Sequence, residues 1–107
     1  MAHQLEYKTS GTTLPLYEVD FTEELPADTS LNASTSTVTA TNSAGTDVTS
    51  TLIANKTVSG MVLKADILAG TNGEDYKVVF KGVGTTSAKP SEKVIEVRVR
   101  DTVIGSV

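Results

Sequence analysis

The sequence predicts an all-β fold in which two sheets of short strands face each other across one core. Apolar and polar residues alternate in segments such as 76–81 and 92–100, which is the period of a half-buried strand. Turn-forming residues separate such segments about every 8–12 residues, a spacing typical of β-sandwiches. Thr and Ser together number 27, beside 13 Val, a composition that suits strands with a polar outer face. No segment has a sustained helical period, so we expect at most one helical turn.

A tyrosine corner is the most informative local feature. Residues 69–80 read Ala-Gly-Thr-Asn-Gly-Glu-Asp-Tyr-Lys-Val-Val-Phe, a Gly-rich turn that leads into an alternating strand. In immunoglobulin-like sandwiches a tyrosine at such a place enters the core, and its hydroxyl bonds a nearby backbone group. We therefore assign Gly70, Gly73 and Tyr76 to the corner of an immunoglobulin-like two-sheet antiparallel β-sandwich of about seven strands. A ligand-stacking role for Tyr76 would need more aromatic neighbours than Phe80.

The chain fits one domain with a segment at each end, because 107 residues are enough for one two-layer core. We place an extended N-terminal arm at 1–16, the sandwich at 17–101 and a C-terminal tail at 102–107. The strands of the sandwich are predicted at 17–21, 36–41, 47–53, 60–68, 76–81 and 92–100. Between them we expect a turn or one loose helical turn at 22–28, a turn or short edge segment at 55–57 and a long hairpin loop at 82–91.

Composition argues against several classes of function. The chain has no cysteine and one histidine, His3, so the usual zinc ligands cannot be assembled within it. A catalytic triad needs a rigidly placed base. His3 stands third in the sequence, within the predicted N-terminal arm, which makes it a poor candidate for that base. The net charge is −4, and Arg98 and Arg100 stand beside acidic residues, so we expect no nucleic-acid partner. We expect no membrane partner, no cofactor and no enzymatic activity.

Five carboxylates fall close together in the sequence: Glu18, Asp20, Glu23, Glu24 and Asp28. Their spacing does not match a calcium loop, in which oxygen ligands alternate ahead of a glycine. We favour a solubilising or contact role for this acidic run. Calcium binding and paired acid–base catalysis remain alternatives.

The order of features from Tyr17 onward resembles the phage fiber–tail adaptor proteins and related small immunoglobulin-like phage structural proteins. The resemblance covers residues 17–101, and its most specific part is the corner followed by the Thr-Ser hairpin. The matching segments are Tyr17-x-Val19-Asp20-Phe21, Ser36-Thr37-Val38-Thr39-Ala40, Gly70-Thr71-x-Gly73-x-x-Tyr76-x-Val78, Thr85-Thr86-Ser87 and Val97-x-Val99-Arg100-Asp101. Relatives often have Gly after the Thr-Ser, where this chain has Ala88-Lys89-Pro90, so we expect that loop to differ.

The resemblance implies a non-enzymatic structural protein of a tailed bacteriophage virion, an adaptor that joins neighbouring tail, fibre or head–tail parts. Its partners would be other virion proteins (tail, fibre, connector or capsid), met as a homo-oligomer or in multiple symmetric copies. The absence of cysteine and of a signal peptide at 1–4 suits assembly in the host cytoplasm, with the virion as final location.

The partner-binding residues that we predict are apolar residues near the two ends of the chain, Leu14, Leu16, Val103 and Ile104. The alternative function is an immunoglobulin-like carbohydrate or cell-surface binding module, displayed on a virion or bacterium. Such a module would need aromatic platforms in its loops. The predicted loops 42–46, 69–75 and 82–91 contain no aromatic residue, which disfavours this alternative.

Overall fold

A computed structural model describes residues 3–8 and 13–100, and within them it contains seven strands and one helical turn. In chain order these are β1 His3–Lys8, β2 Leu14–Asp20, β3 Thr37–Thr41, α1 Thr49–Leu52, β4 Ile53–Ser59, β5 Val62–Ile67, β6 Asp75–Val83 and β7 Pro90–Val99. The described part of the chain holds no helix long and apolar enough to cross a bilayer.

The strands form two facing sheets with the connectivity of an immunoglobulin sandwich. One sheet has the order β2-β5-β4, and the other has the order β1-β7-β6-β3. If β2 to β7 are equated with strands B to G of an immunoglobulin domain, the sheets contain the B-E-D and C-F-G sets of that fold. The predicted fold class, an all-β immunoglobulin-like two-sheet sandwich, is confirmed.

Alternate residues of the strands fill the space between the sheets. Phe21 and Phe80 are fully buried, and Tyr17 packs against Phe80 with ring centroids 5.8 Å apart. Each aliphatic or aromatic side chain buried in this way contributes about 1.5–3 kcal/mol to folding. The largest share comes from β6 and β7, which supply Tyr76, Val78, Phe80, Ile95, Val97 and Val99.

The N-terminal region adds a strand to the larger sheet. Strand β1 pairs in parallel with β7, in a register that runs from His3 opposite Val94 to Lys8 opposite Val99. Among the described strands this is the one parallel pairing, since the others are antiparallel. Strand β1 lies within the range 1–16 that the sequence assigns to an extended arm, and β2 begins at Leu14 within that same range.

The strand predicted at 47–53 is wrong, because α1 occupies most of that segment. Val48 and Leu52 stand four residues apart, a spacing that puts two side chains on one face of a strand or of a helical turn. The turn is chosen here because it lets the Asp47 carboxylate accept the Thr49 N–H at 2.9 Å while Leu52 becomes buried. Residues 55–57 then belong to β4, an edge strand.

The hairpin between β6 and β7 is shorter than predicted. Strand β6 continues to Val83 and β7 begins at Pro90, which leaves residues 84–89 as the loop. Ala88 has a φ of 58°, in the left-handed region that favours glycine. The loop therefore holds an alanine in a conformation that glycine adopts more readily.

Candidate functional site

The tyrosine corner is built from residues Gly70 to Tyr76, which cross from β5 to β6. Tyr76 is 6% exposed, and its hydroxyl accepts a hydrogen bond from the Thr71 N–H at 3.0 Å. A Cβ on Gly70 would lie 2.8 Å from a ring carbon of Tyr76 and 3.0 Å from a methyl group of Val99. The close approach of ring and backbone therefore depends on a residue without a side chain at position 70.

The same corner holds the end of β7. The Gly73 N–H donates to the Val99 carbonyl at 2.8 Å, and the Val99 N–H donates to the Glu74 carbonyl at 3.0 Å. The guanidinium of Arg100 forms an ion pair with Asp75 at 2.8 Å. The point from which the chain continues into the C-terminal tail is therefore fixed to the sandwich by backbone bonds and one charge pair.

A polar groove of about 320 Å³ lies beside the corner, between the segment that follows β3 and the turn that precedes β6. Glu74 lines the groove, and its carboxylate accepts a hydrogen bond from the Ser43 hydroxyl. Tyr76 lines the groove, but its ring is buried and its hydroxyl is engaged by Thr71. Tyr76 therefore acts as a support for the corner and does not offer an open ring face to a ligand.

The acidic run is divided in the structure: Asp20, Glu23 and Glu24 line one groove beside Lys93, and Glu18 and Asp28 lie outside that groove. Asp20 accepts hydrogen bonds from the hydroxyl and the N–H of Thr22, which lower the pKa of its carboxyl group. Glu24 forms an ion pair with Lys93 at 2.9 Å, and this hydrogen-bonded pairing lowers its pKa. Glu18 lies 3.5 Å from Lys64. Each of these carboxylates is thus held by its own partner.

Lys93 is the centre of the contacts around this acidic run. Besides the ion pair with Glu24, its ammonium group donates to the Asp20 carbonyl at 2.9 Å and lies 5.7 Å from the ring centroid of Phe21. No group of three or more potential metal ligands occurs among the residues that the structure describes. What the arrangement does is fasten the chain after β2 to the start of β7.

Asp28 lies apart from the other carboxylates and fastens two loops. Its carboxylate accepts the Thr86 N–H at 2.8 Å, the Ser87 N–H at 2.9 Å and the Ser87 hydroxyl at 2.6 Å. The Ser87 hydroxyl, then the backbone N–H groups, hold its pKa below the ordinary value. A Cβ on Gly84 would overlap this carboxylate, so glycine is needed there. Sequence reasoning missed this clamp.

Further bonds join the same two loops into one surface. The Ser30 and Thr85 hydroxyls lie 3.0 Å apart, and the Asn32 N–H donates to the Val83 carbonyl at 2.7 Å. Ser36 is fully buried, and its hydroxyl accepts the Val83 N–H at 3.0 Å. This end of the sandwich is therefore a rigid, hydrogen-bonded platform. Its exposed surface includes the charged side chain of Lys89 and several small, uncharged residues: Ala27, Thr29, Ala33, Ser34, Thr86 and Ala88.

Two of the sheet edges are obstructed. At β3, the Val48 N–H donates to the Ala40 carbonyl at 2.9 Å, and the Ala40 N–H donates to the Thr49 hydroxyl at 2.9 Å. At β4, Asn55 has a φ of 55°, and the pairing with β5 shifts register between Ala54 and Thr57.

The side chain of Lys56 reaches from β4 to the segment that precedes β3. Its ammonium group donates to the Ala33 and Ser36 carbonyls at 3.0 and 2.7 Å. Bulges and charged side chains of this kind prevent the addition of a further strand. The β3/β4 flank of the sandwich is therefore closed to strand pairing.

The predicted partner-binding residues are placed in part by the structure. Leu14 and Leu16 belong to β2, where the backbone of Leu14 lies opposite Ile67. Val103 and Ile104 lie outside the described residues. His3, the one histidine, stands in β1 opposite Val94.

Comparisons with known proteins add no relative to this picture. No protein-family model matches the chain. No curated protein matches it either.

Proposed function

We propose that the chain is a non-enzymatic structural protein of a tailed bacteriophage virion, an adaptor that joins neighbouring tail, fibre or head–tail parts. The observation that carries the proposal is the corner. The residues through which the sequence most specifically resembles the fiber–tail adaptor proteins, Gly70, Thr71, Gly73 and Tyr76, are those that build the buried tyrosine corner.

The use of the polar side chains is consistent with a docking role. Asp20, Glu24 and Asp28 are engaged by hydrogen bonds or by a lysine, and these contacts fasten loops to strands. A module held together in this way keeps its surface preorganised, so little conformational entropy is lost when it binds a neighbour. Weak contacts between single copies of such a module and their neighbours add up to firm attachment when several copies bind together.

In this proposal the C-terminal tail makes apolar contacts with an adjacent virion protein through Val103 and Ile104. The tail leaves the sandwich from an anchored point, because the Val99 carbonyl is held by Gly73 and Arg100 is paired with Asp75. Leu14 and Leu16, which belong to strand β2, would contribute further apolar contacts. Assembly takes place in the host cytoplasm, and the virion is the final location.

The test is incorporation into particles. A phage lysate is supplied with tagged wild-type protein, with the double variant Val103→Ser/Ile104→Ser, or with the matched control Thr102→Ala/Ser106→Ala, and particles are purified by density gradient. We expect the wild type and the control to co-purify with particles. The apolar-to-serine variant should melt at the same temperature as the wild type and be lost from particles.

Two results would contradict this proposal at different levels. Incorporation of Val103→Ser/Ile104→Ser at wild-type level would remove the tail from the docking surface. Failure of the wild-type protein itself to co-purify with particles would remove the virion role. A glycan-array screen of the same protein distinguishes the carbohydrate-binding alternative, for which binding to a defined glycan is the positive result.

A further inference from the structure

We propose that strand β1 is exchanged between copies of this chain, so that residues His3–Lys8 of one copy pair in parallel with the outer edge of β7 of a second copy. The inference concerns copies of this chain only and stands apart from the virion role. It would hold equally for an immunoglobulin-like module of another function.

The position of β1 favours exchange. It lies at the end of the four-stranded sheet, where β7 is its one neighbouring strand. Parallel strands cannot be joined by a tight hairpin, and β1 leads into β2, which belongs to the other sheet. No hairpin therefore ties β1 to the particular β7 of its own chain. The same six residues of a second copy present the same backbone donors and acceptors to that edge.

The residues between β1 and β2 have the composition of a hinge. Residues 9–13 read Thr-Ser-Gly-Thr-Thr, without proline or large apolar side chains. Exchange of an identical element is a low-cost route to an oligomer, because each bond lost within one copy is regained between copies.

The rest of the sandwich is a complete unit. Strands β2 to β7 form two three-stranded sheets, and seventeen buried apolar residues from Val19 to Val99 form one core cluster between them. A copy whose β1 has left would keep this core and expose the unpaired N–H and C=O groups of β7. An edge of that kind accepts a further strand.

Obstruction at the other edges points to β7 as the acceptor. The backbone of β3 is covered by Val48 and Thr49, and β4 is interrupted at Asn55 with Lys56 folded across the flank. Strand β2 contains Pro15, which has no N–H to give to a ladder. Of the described edges, the flank formed by β1 and β7 is thus best suited to take a strand from another copy.

The absence of native cysteine allows a direct test by disulfide trapping. Leu5 is aligned with Glu96 across the β1–β7 pair. Neighbouring strands lie about 4.8 Å apart, within the Cα separation of about 4.4–6.8 Å that a disulfide spans. Full-length Leu5→Cys and Glu96→Cys variants carrying tags of different size are unfolded together, refolded at high protein concentration and oxidised.

We expect a disulfide-linked heterodimer that carries both tags. The matched control pairs Leu5→Cys with Thr39→Cys, which lies on β3 at the far edge of the same sheet. This control should give only the background of random oxidation. In native mass spectrometry of the full chain without cysteines, the dimer should be present. It should be lost in Glu6→Pro, since proline removes an N–H from β1.

Exchange is overturned if the Leu5/Glu96 heterodimer is no more abundant than the control. It is also overturned if a Leu5→Cys/Glu96→Cys double variant closes its disulfide within one chain at every protein concentration. A wild-type chain that is monomeric in native mass spectrometry, or a Glu6→Pro variant with an unchanged dimer, would equally overturn it. The Glu6→Pro readout needs no engineered cysteine, so poor folding of the cysteine variants does not remove the test.

Discussion

The hydroxyl of Tyr76 stabilises the corner by accepting one hydrogen bond, and its removal is a sharp test of the physical reasoning. In Tyr76→Phe the ring stays in the core, so the packing against Gly70 and Val99 is retained. What is lost is the acceptor of the Thr71 N–H, at 3.0 Å in the wild type. A hydrogen bond of this type contributes about 0.5–1.5 kcal/mol, and a buried donor left without a partner costs about 1–3 kcal/mol.

The expected cost lies near the lower of these ranges because residue Thr71 is exposed and water can reach its N–H. We therefore predict a loss of about 1 kcal/mol in the free energy of unfolding. For a domain of this size that corresponds to a fall of about 4 °C in melting temperature. Urea and thermal unfolding measure the loss, and amide hydrogen exchange at Thr71 shows whether it arises at the corner.

Gly70→Ala is the companion variant, because it perturbs the same contact by volume. Its Cβ would lie 2.8 Å from the Tyr76 ring, so ring or backbone must move, at a cost of about 1–3 kcal/mol. Gly45→Ala is the matched control, since its Cβ meets nothing within 4 Å and only its φ of 83° opposes the change.

The reasoning is refuted if Tyr76→Phe melts like the wild type with the Thr71 amide equally protected from exchange.

Three further outcomes follow from the loops and the β4 edge. Hydrogen bonds from Ser87 and Thr86 lower the pKa of Asp28, so its contribution to stability is present above the ordinary carboxyl pKa and is lost as pH falls through the lowered value. Asp28→Asn should therefore flatten the acid side of a stability–pH curve, and an unchanged curve would contradict the clamp. Ala88→Gly should be neutral or stabilising by up to about 1 kcal/mol, because glycine adopts the φ of 58° at position 88 without strain. The control Ala33→Gly should destabilise the domain, and equal melting shifts for the two variants would argue against the left-handed conformation of residue 88. Lys56→Met should lower the free energy of unfolding by about 1 kcal/mol, because it removes the donor to the Ala33 and Ser36 carbonyls. Thermal melting measures this loss, and an unaltered melting temperature would contradict it.

The fold class was predictable because its signals are local. Alternating apolar residues in β6 and β7 and the Gly-rich approach to Tyr76 are readable within a dozen residues of sequence. The segment 47–53 was misassigned because the spacing of Val48 and Leu52 fits a strand and a helical turn equally well. Contacts made in the folded chain decide between them: the Asp47 carboxylate accepts the Thr49 N–H, Leu52 becomes buried and the Val48 N–H donates to the Ala40 carbonyl.

The clamp and the first strand depend on partners that are distant in sequence. The hydrogen bonds between Asp28 and residues Thr86 and Ser87 join positions separated by 58 and 59 residues. No local sequence pattern predicts such a contact. Strand β1 does alternate, with Leu5 and Tyr7 set between Gln4, Glu6 and Lys8, but it is placed by the open edge of β7. A sequence pattern gives no information on which edge a terminal strand will join.

The most direct measurement of the virion role is the number of copies in purified particles. Quantitative mass spectrometry of gradient-purified phage, before and after a high-salt wash, measures that number against the major capsid protein. A structural adaptor should be present at a fixed number of copies per particle that survives the wash. A content that varies between preparations, or that the wash removes, would contradict a structural place in the virion.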